Sequence, residues 1–300
     1  MPTRGHNAAI HVPRNESIPP PSPGYNTFTL TSITPNITRV LINNPPIQLL
    51  DANMIDDFNT LFSGITEDPD NSPSVIVFSS ADPIFMISHI DLHILSKTQP
   101  LQPPLNSTVV LEKLINVTRS LATVPAILIA EIAGKATAGG NELLVQMDMR
   151  FASPGASLGV AEVAFGLLQG SGGMQYIARD IGLGRATEYA LTADYVTDQT
   201  LADIGWVNQY FESKSDMESH VALAATKIGL WPRQAVVAIK ESIREGSAPT
   251  LQSIEDDVKR FEELIQGPAP EIAFLRYLEL SANQSRNAFE IDGDLTLLWP

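Results

Sequence analysis

The chain of 300 residues contains no cysteine. That excludes disulfide bonds, thiolate nucleophiles and cysteine-ligated metals together. Positive charge is scarce as well: 19 lysines and arginines stand against 34 aspartates and glutamates, for a formal net charge of −15. With no basic cluster, this balance argues against nucleic acid or an anionic membrane as partner. It leaves an anionic small ligand open, because local fields can oppose the net charge. No apolar run is long enough to span a bilayer. The N-terminal residues lack the apolar core of a signal peptide, so the sequons at Asn15, Asn36, Asn106, Asn116 and Asn283 are expected to be chance. The final Leu-Leu-Trp-Pro is not a Ser-Lys-Leu address. A cytoplasmic protein is the expectation. Arg4 and Arg14, with no acid before Glu16, keep a mitochondrial transit peptide open, and a peroxisomal destination stays open too. The phosphate loop Gly-x-x-x-x-Gly-Lys-Ser/Thr is missing, and no Gly-x-Gly-x-x-Gly follows a strand.

What is present suffices for a large core: 44% of the residues are hydrophobic. Residues 1–25 are rich in proline and are expected to be a disordered or extended tail. From residue 26 to 212 short apolar runs alternate with helical patterns, which predicts an α/β core. Thr27 to Leu30 and Ile37 to Ile42 read as strands. Asp51 is placed to cap a helix running to about Gly64. Ser74 to Ser79 and Pro125 to Ala130 read as buried parallel strands. Gln99 to Asn106 is a proline-containing loop, and Thr108 to Thr123 an amphipathic helix. From Ser213 to the end, residues 213–300, the pattern is helical.

The stretch from Gly134 to Gln175 holds the chemistry. Two carboxylates, Glu142 and Glu162, sit among small and apolar residues. Gly139-Gly140 precedes Glu142, and Gly170-Ser-Gly172-Gly173 follows Glu162. A glycine turn feeding a helix leaves backbone N–H groups free, where developing negative charge is stabilised. A single glutamate after one glycine pair is more often a helix-start residue than a catalyst. The spacing of twenty residues to the second glutamate changes that balance.

Together, Gly139-Gly-Asn-Glu142, the Gly159-Val-Ala-Glu162 segment ending at Gly166, and Gln169-Gly-Ser-Gly-Gly173 resemble the crotonase, or enoyl-CoA hydratase/isomerase, family. The resemblance runs from about Tyr25 to Trp231. It departs from the family pattern at Asn141, Val160-Ala161 and Gln169. It implies a crotonase-like spiral of ββα units with a C-terminal helical region that covers the site and builds a homotrimer or homohexamer. It implies an acyl-CoA thioester as substrate, with coenzyme A as part of that substrate and no separate cofactor. In a hydratase, Glu142 would position and deprotonate a water and Glu162 would protonate the α-carbon. An isomerase needs only the glutamate at position 162. The N–H of Gly139 would hold the thioester oxygen, with a second N–H from Ala81–Leu92. Counting from Asp91 places that second donor at Ser88; counting from Phe85 places it at Ile87.

Rival readings use some of the same region. Gly155-Ala-Ser157-Leu-Gly159 fits a serine-hydrolase elbow, with His220 as the only downstream histidine; a β-turn explains Ser157 as well. His89 and His93, four residues apart around Asp91, have a metal-like spacing but no third ligand, so no metal is expected. A member that has lost catalysis and serves as an assembly subunit would be expected to lose at least one glutamate.

Overall fold

A computed structural model describes residues 18–101 and 107–300. Most of the proline-rich tail and residues 102–106 of the 99–106 loop lie outside the described residues. The end of the tail is held: Thr29 Oγ1 donates to Pro20 O at 2.8 Å and Leu30 N to Ser22 Oγ at 2.8 Å.

The chain opens with an antiparallel pair, β1 (Phe28–Thr34) and β2 (Ile37–Ile42). Helix α1 (Ala52–Glu67) follows, capped as expected by the Asp51 carboxylate accepting from Met54 N at 2.9 Å. Three successive turns then each supply two strands, one to each of two sheets. The pairs are β3 (Val75–Ser80) with β4 (Phe85–Ile87), β5 (Ile127–Ile132) with β6 (Lys135–Thr137), and β7 (Met149–Ala152) with β8 (Ser157–Gly159). Helices α2 (Leu92–Leu95) and α3 (Ser107–Thr123) follow the first pair, and α4 (Gly139–Val145) the second. Helices α5 (Gly173–Ile181) and α6 (Leu183–Thr192) follow the third. Strands β3, β5 and β7 pair in parallel, and so do β4, β6 and β8. The turns end with β9 (Tyr195–Thr197), α7 (Thr200–Asp203) and β10 (Gln209–Tyr210). The sheets have orders β1-β2-β3-β5-β7-β10 and β4-β6-β8-β9. This is the expected spiral of strand–strand–helix units.

The near-continuous apolar runs of β3 and β5 follow from burial on both faces. Ile76 and Phe78 point into the main core, while Val75 and Val77 join a second cluster with Met217, Val221 and Ala225. Those three lie on α8 (Lys214–Gly229), which therefore covers the outer face of the larger sheet. Next come α9 (Arg233–Ser247), α10 (Leu251–Ile265), α11 (Pro268–Leu280) and α12 (Ala288–Asp292). Buried ions fix α9: the Asp148 carboxylate meets Lys240 Nζ at 2.9 Å and Arg244 at 2.8 Å. Removing one partner of such a cluster would strand a buried charge, which is why it acts as a tie. No helix among the described residues is long and apolar enough to cross a membrane.

Candidate active site

Helix α4 enters through an unusual backbone. Ala138, its N-cap, has φ 49° and ψ −127°, a region that disfavours a Cβ and stores strain. Ala138 N donates to Gly159 O at 3.2 Å, tying the entry to β8. Gly140 follows with no room for a side chain: a Cβ there would overlap the Ile87 carbonyl oxygen and lie 2.8 Å from Ser88 O. The missing side chain lets α4 press on the end of β4.

Glu142 is one turn into that helix and buried. Its Oε1 accepts from Ser171 N at 2.8 Å and Gly173 N at 3.1 Å. The glycine loop after Glu162 is thus a cradle for the first carboxylate. A Cβ on Gly173 would lie 2.7 Å from Glu142 Cγ, so only glycine allows the wrap. Glu162 opens a short 3₁₀ turn, Glu162–Phe165, and is buried too. Its Oε2 has no hydrogen-bond partner among the described residues. Burial pushes both groups up: Glu142 to about 7, opposed by its two backbone N–H bonds, and Glu162 to about 8, with Glu142's charge adding to the rise. Both line one cavity of about 940 Å³, together with Gly139 and Ile90.

Ile87 and Ser88, the two residues expected to give the second N–H, both lie against α4 at Gly140. Ser88 N already donates to Gln48 O at 3.0 Å. Ile87 lies inside β4, opposite Ala136, and turns its carbonyl, an acceptor, toward α4. Ile90 also borders Gly139: a Cβ placed on Gly139 would sit 3.7 Å from Ile90 N. Ile90 N has no acceptor among the described residues, although the bridge beside it is bonded on both sides, Leu50 N donating to His89 O at 2.9 Å and Asp91 N to Leu50 O at 3.1 Å.

The departures from the family pattern fall in different places. Asn141 turns inward, its Oδ1 accepting from Trp206 Nε1 at 3.2 Å. Ala161 and Gln169 line the cavity. The rival constellations do not assemble. Ser157 lies in β8, opposite Thr197, and not at a strand-to-helix turn. His220 lies on α8, exposed, with its ring against Phe151 and Phe211. The His93 ring meets Gln99 O and Asn283 Oδ1, whereas His89 turns toward Glu290. No group of three metal-competent side chains occurs among the described residues. Sequence reasoning missed Ile90, Tyr277 and Phe274 as cavity residues. The last two come from α11, far along the chain, with no motif to mark them.

Residues 32–284 match the family model described as enoyl-CoA hydratase/isomerase. Over 162 residues the chain is 34% identical to YngF of Bacillus subtilis, a candidate enoyl-CoA hydratase/isomerase, covering 52% of this chain and 61% of that one. It is 30% identical over 126 residues to the 2,3-dehydroadipyl-CoA hydratase of Escherichia coli, covering 42% and 49%. These matched stretches span 61% and 49% of the relatives' lengths. A crystal structure of a candidate enoyl-CoA hydratase from Streptomyces avermitilis superposes with TM-score 0.81 at 28% identity, covering 92% of this chain and 98% of that one. With the family match running through both glutamates, the glycine cradle and the helices that close the cavity, the chain belongs to the enoyl-CoA hydratase/isomerase family.

Proposed function

We propose that this protein adds water to, or removes it from, the α,β double bond of an acyl-CoA thioester, with Glu142 and Glu162 as the acid–base pair. The observation that carries this reading is the different surroundings of two neighbouring carboxyls. Glu142 is held by two N–H donors, which favour its ionised form. Glu162 has an oxygen without a donor beside an apolar wall, which favours its protonated form. Environments that push two like groups apart assign a base and an acid. An isomerase has no use for the glutamate at 142, so its cradle favours hydration.

In the forward direction the thioester carbonyl oxygen accepts from the N–H groups of Gly139 and Ile90. Glu142 takes a proton from water as the water oxygen bonds to the β-carbon. The electron pair of the double bond moves toward the carbonyl, and the charge is held by the two donors. Glu162 then delivers its proton to the α-carbon, which closes the cycle after proton exchange with solvent. Coenzyme A enters as the carrier of the acyl group. Self-association into a trimer or hexamer is part of the proposal, supported by exposed Leu223, Leu230 and Trp231 on and after α8. Sedimentation of a monomer at micromolar concentration would remove it.

Turnover of an enoyl-CoA panel in ¹⁸O-water, read by mass spectrometry, tests the reaction. Hydration gives a product heavier by labelled water. An isomerised product of unchanged mass would replace this reading with double-bond migration.

The pair also sets a pH dependence. The productive free enzyme has one proton on the pair, so kcat/KM should rise through about 7 and fall beyond about 8. Stability carries the opposite sign from the usual carboxylate case. Both native values lie above the ordinary 4.5. The native state therefore keeps protons that the unfolded chain gives up. This contribution is full below the unfolded range and is lost as pH rises through about 7 and about 8. A kcat/KM flat from about pH 6 to about pH 9 would contradict the assignment.

A further inference from the structure

The turn that carries Glu162 has one loose end. In the 3₁₀ turn Glu162–Phe165, Ala164 N donates to Ala161 O and Gly166 N to Val163 O, both at 3.0 Å. The next bond in that series would run from Leu167 N to Ala164 O. Leu167 N instead folds back to Glu162 O at 2.9 Å. The last carbonyls of a helical turn have no partner within it and take one from elsewhere. Ala164 O takes the indole of Trp299, whose Nε1 donates to it at 2.9 Å across 135 residues of chain.

Trp299 ends a short strap that follows α12. Helix α12 is rooted in the core through Glu290. The Glu290 carboxylate meets His89 Nε2 at 3.2 Å and Tyr277 Oη at 2.9 Å, and its backbone carbonyl accepts from Lys135 Nζ at 3.0 Å. Asp294 then caps a second 3₁₀ turn, Leu295–Leu298, its Oδ1 accepting from Thr296 N at 2.9 Å. Leu298 is buried in the main core, and Leu295 lines the cavity that holds both glutamates. Arg276 Nε, on α11, donates to Leu297 O at 3.4 Å. The strap therefore has a fixed place from which the indole can hold the Glu162 turn. It lies beyond the residues matched by the family model, which end at 284.

Glu162 needs such support more than Glu142 does. Two N–H donors fix the Glu142 carboxylate directly. Glu162 Oε2 has no partner among the described residues, so more of its placement falls on the backbone of its turn. One side of that turn rests on α11. The Phe165 ring packs 5.8 Å from Phe274 and 5.3 Å from Tyr277, and a Cβ on Gly166 would lie 3.1 Å from Ala269 Cβ. The indole bond holds the turn from the strap. Without it the turn can lift and admit water to a carboxyl that is otherwise buried.

We propose that Trp299 is a positioning residue for proton delivery: through the Ala164 carbonyl it seats the turn that carries Glu162, and together with Leu295 it makes the strap at 294–299 part of the active site. This inference rests on the acid role given to Glu162 above, but the tie can be read without turnover.

Trp299→Phe removes the donor and keeps an aromatic ring. One hydrogen bond of this kind shifts a local equilibrium by about threefold to tenfold. The kcat for an enoyl-CoA should fall by about threefold or more while KM changes by less than about twofold, because the lost contact acts on the reacting proton and not on the thioester. Burial is the main cause of the Glu162 value of about 8, so a loosened turn moves it down. The alkaline limb of kcat/KM should therefore shift to lower pH. So should the Glu162 carboxyl midpoint, read by ¹³C NMR and assigned by its loss in Glu162→Gln. A Trp299→Phe protein that melts earlier but keeps the parental kcat and the parental midpoint would overturn the proposal. So would a Trp299 indole N–H that exchanges with solvent, in the unaltered protein, as fast as that of free tryptophan; this arm needs no variant to fold. If no enoyl-CoA is turned over, the hydration reading falls and the carboxyl midpoint alone decides the tie.

Discussion

Replacing Glu142 or Glu162 by glutamine is expected to leave the fold standing and to cut turnover of an enoyl-CoA by roughly a hundredfold to ten-thousandfold. Glutamine keeps the shape and one carbonyl oxygen, so in Glu142→Gln the acceptor for Ser171 N and Gly173 N survives. What is lost is proton exchange near neutral pH. The two changes should not add, because both groups act on one water and one substrate. A double variant only slightly slower than either single one is the expected pattern. Removing the charge at 142 also takes away one cause of Glu162's raised value, so the residual activity of Glu142→Gln should titrate lower than the parent's alkaline limb. Severe loss in Glu162→Gln with near-parental rates in Glu142→Gln would identify an isomerase. Parental rates in both would remove the acid–base mechanism while leaving the fold intact.

The second large effect is expected from Gly140→Ala. One methyl group there would overlap the Ile87 carbonyl oxygen and approach Ser88 O to 2.8 Å. Both are backbone atoms held in place, since Thr137 N donates to Ser88 O at 2.8 Å. Relief requires α4 to move away from β4. Overpacking of this kind costs about 1–3 kcal/mol. The same displacement separates Gly139 N–H from Ile90 N–H, which belong to the two sides being pushed apart. A misplacement of about 1 Å in such a site can cost about a hundredfold in rate. Thermal melting and steady-state kinetics on the same preparation check both parts. A variant with parental kcat would show that the spacing of these donors does not matter to the reaction.

The fold could be read from the sequence because its strands are buried on both faces and its helices on one. The apolar runs at 75–80 and 127–132 and the Asp51 cap are local signals, and the structure keeps them. The meeting of Glu142 and Glu162 in one cavity was legible for a similar reason: each lies beside the glycines that its surroundings require. Ile90's place in the cavity wall was not legible, because it is set by a bridge to Leu50, a contact distant in sequence. Ala138 hid the strain at the α4 entry, since an alanine gives no hint of a positive φ. Tyr277 and Glu290 were beyond reach for a third reason. They meet His89 across 188 and 201 residues of chain, and nothing local in α11 or α12 records that meeting.

That last separation has a consequence in time. Chains emerge from the ribosome N-terminus first, at about 5–20 residues per second, and loops of this length close late. Both glutamates and their cradle are complete once Gly173 has been made, but the wall that faces them is not. Lys135 cannot reach the Glu290 carbonyl, nor His89 its carboxylate, until almost the whole chain has been synthesised. A nascent or truncated chain therefore leaves Glu142 and Glu162 in an open cleft. The burial that raises both carboxyls belongs only to the finished molecule.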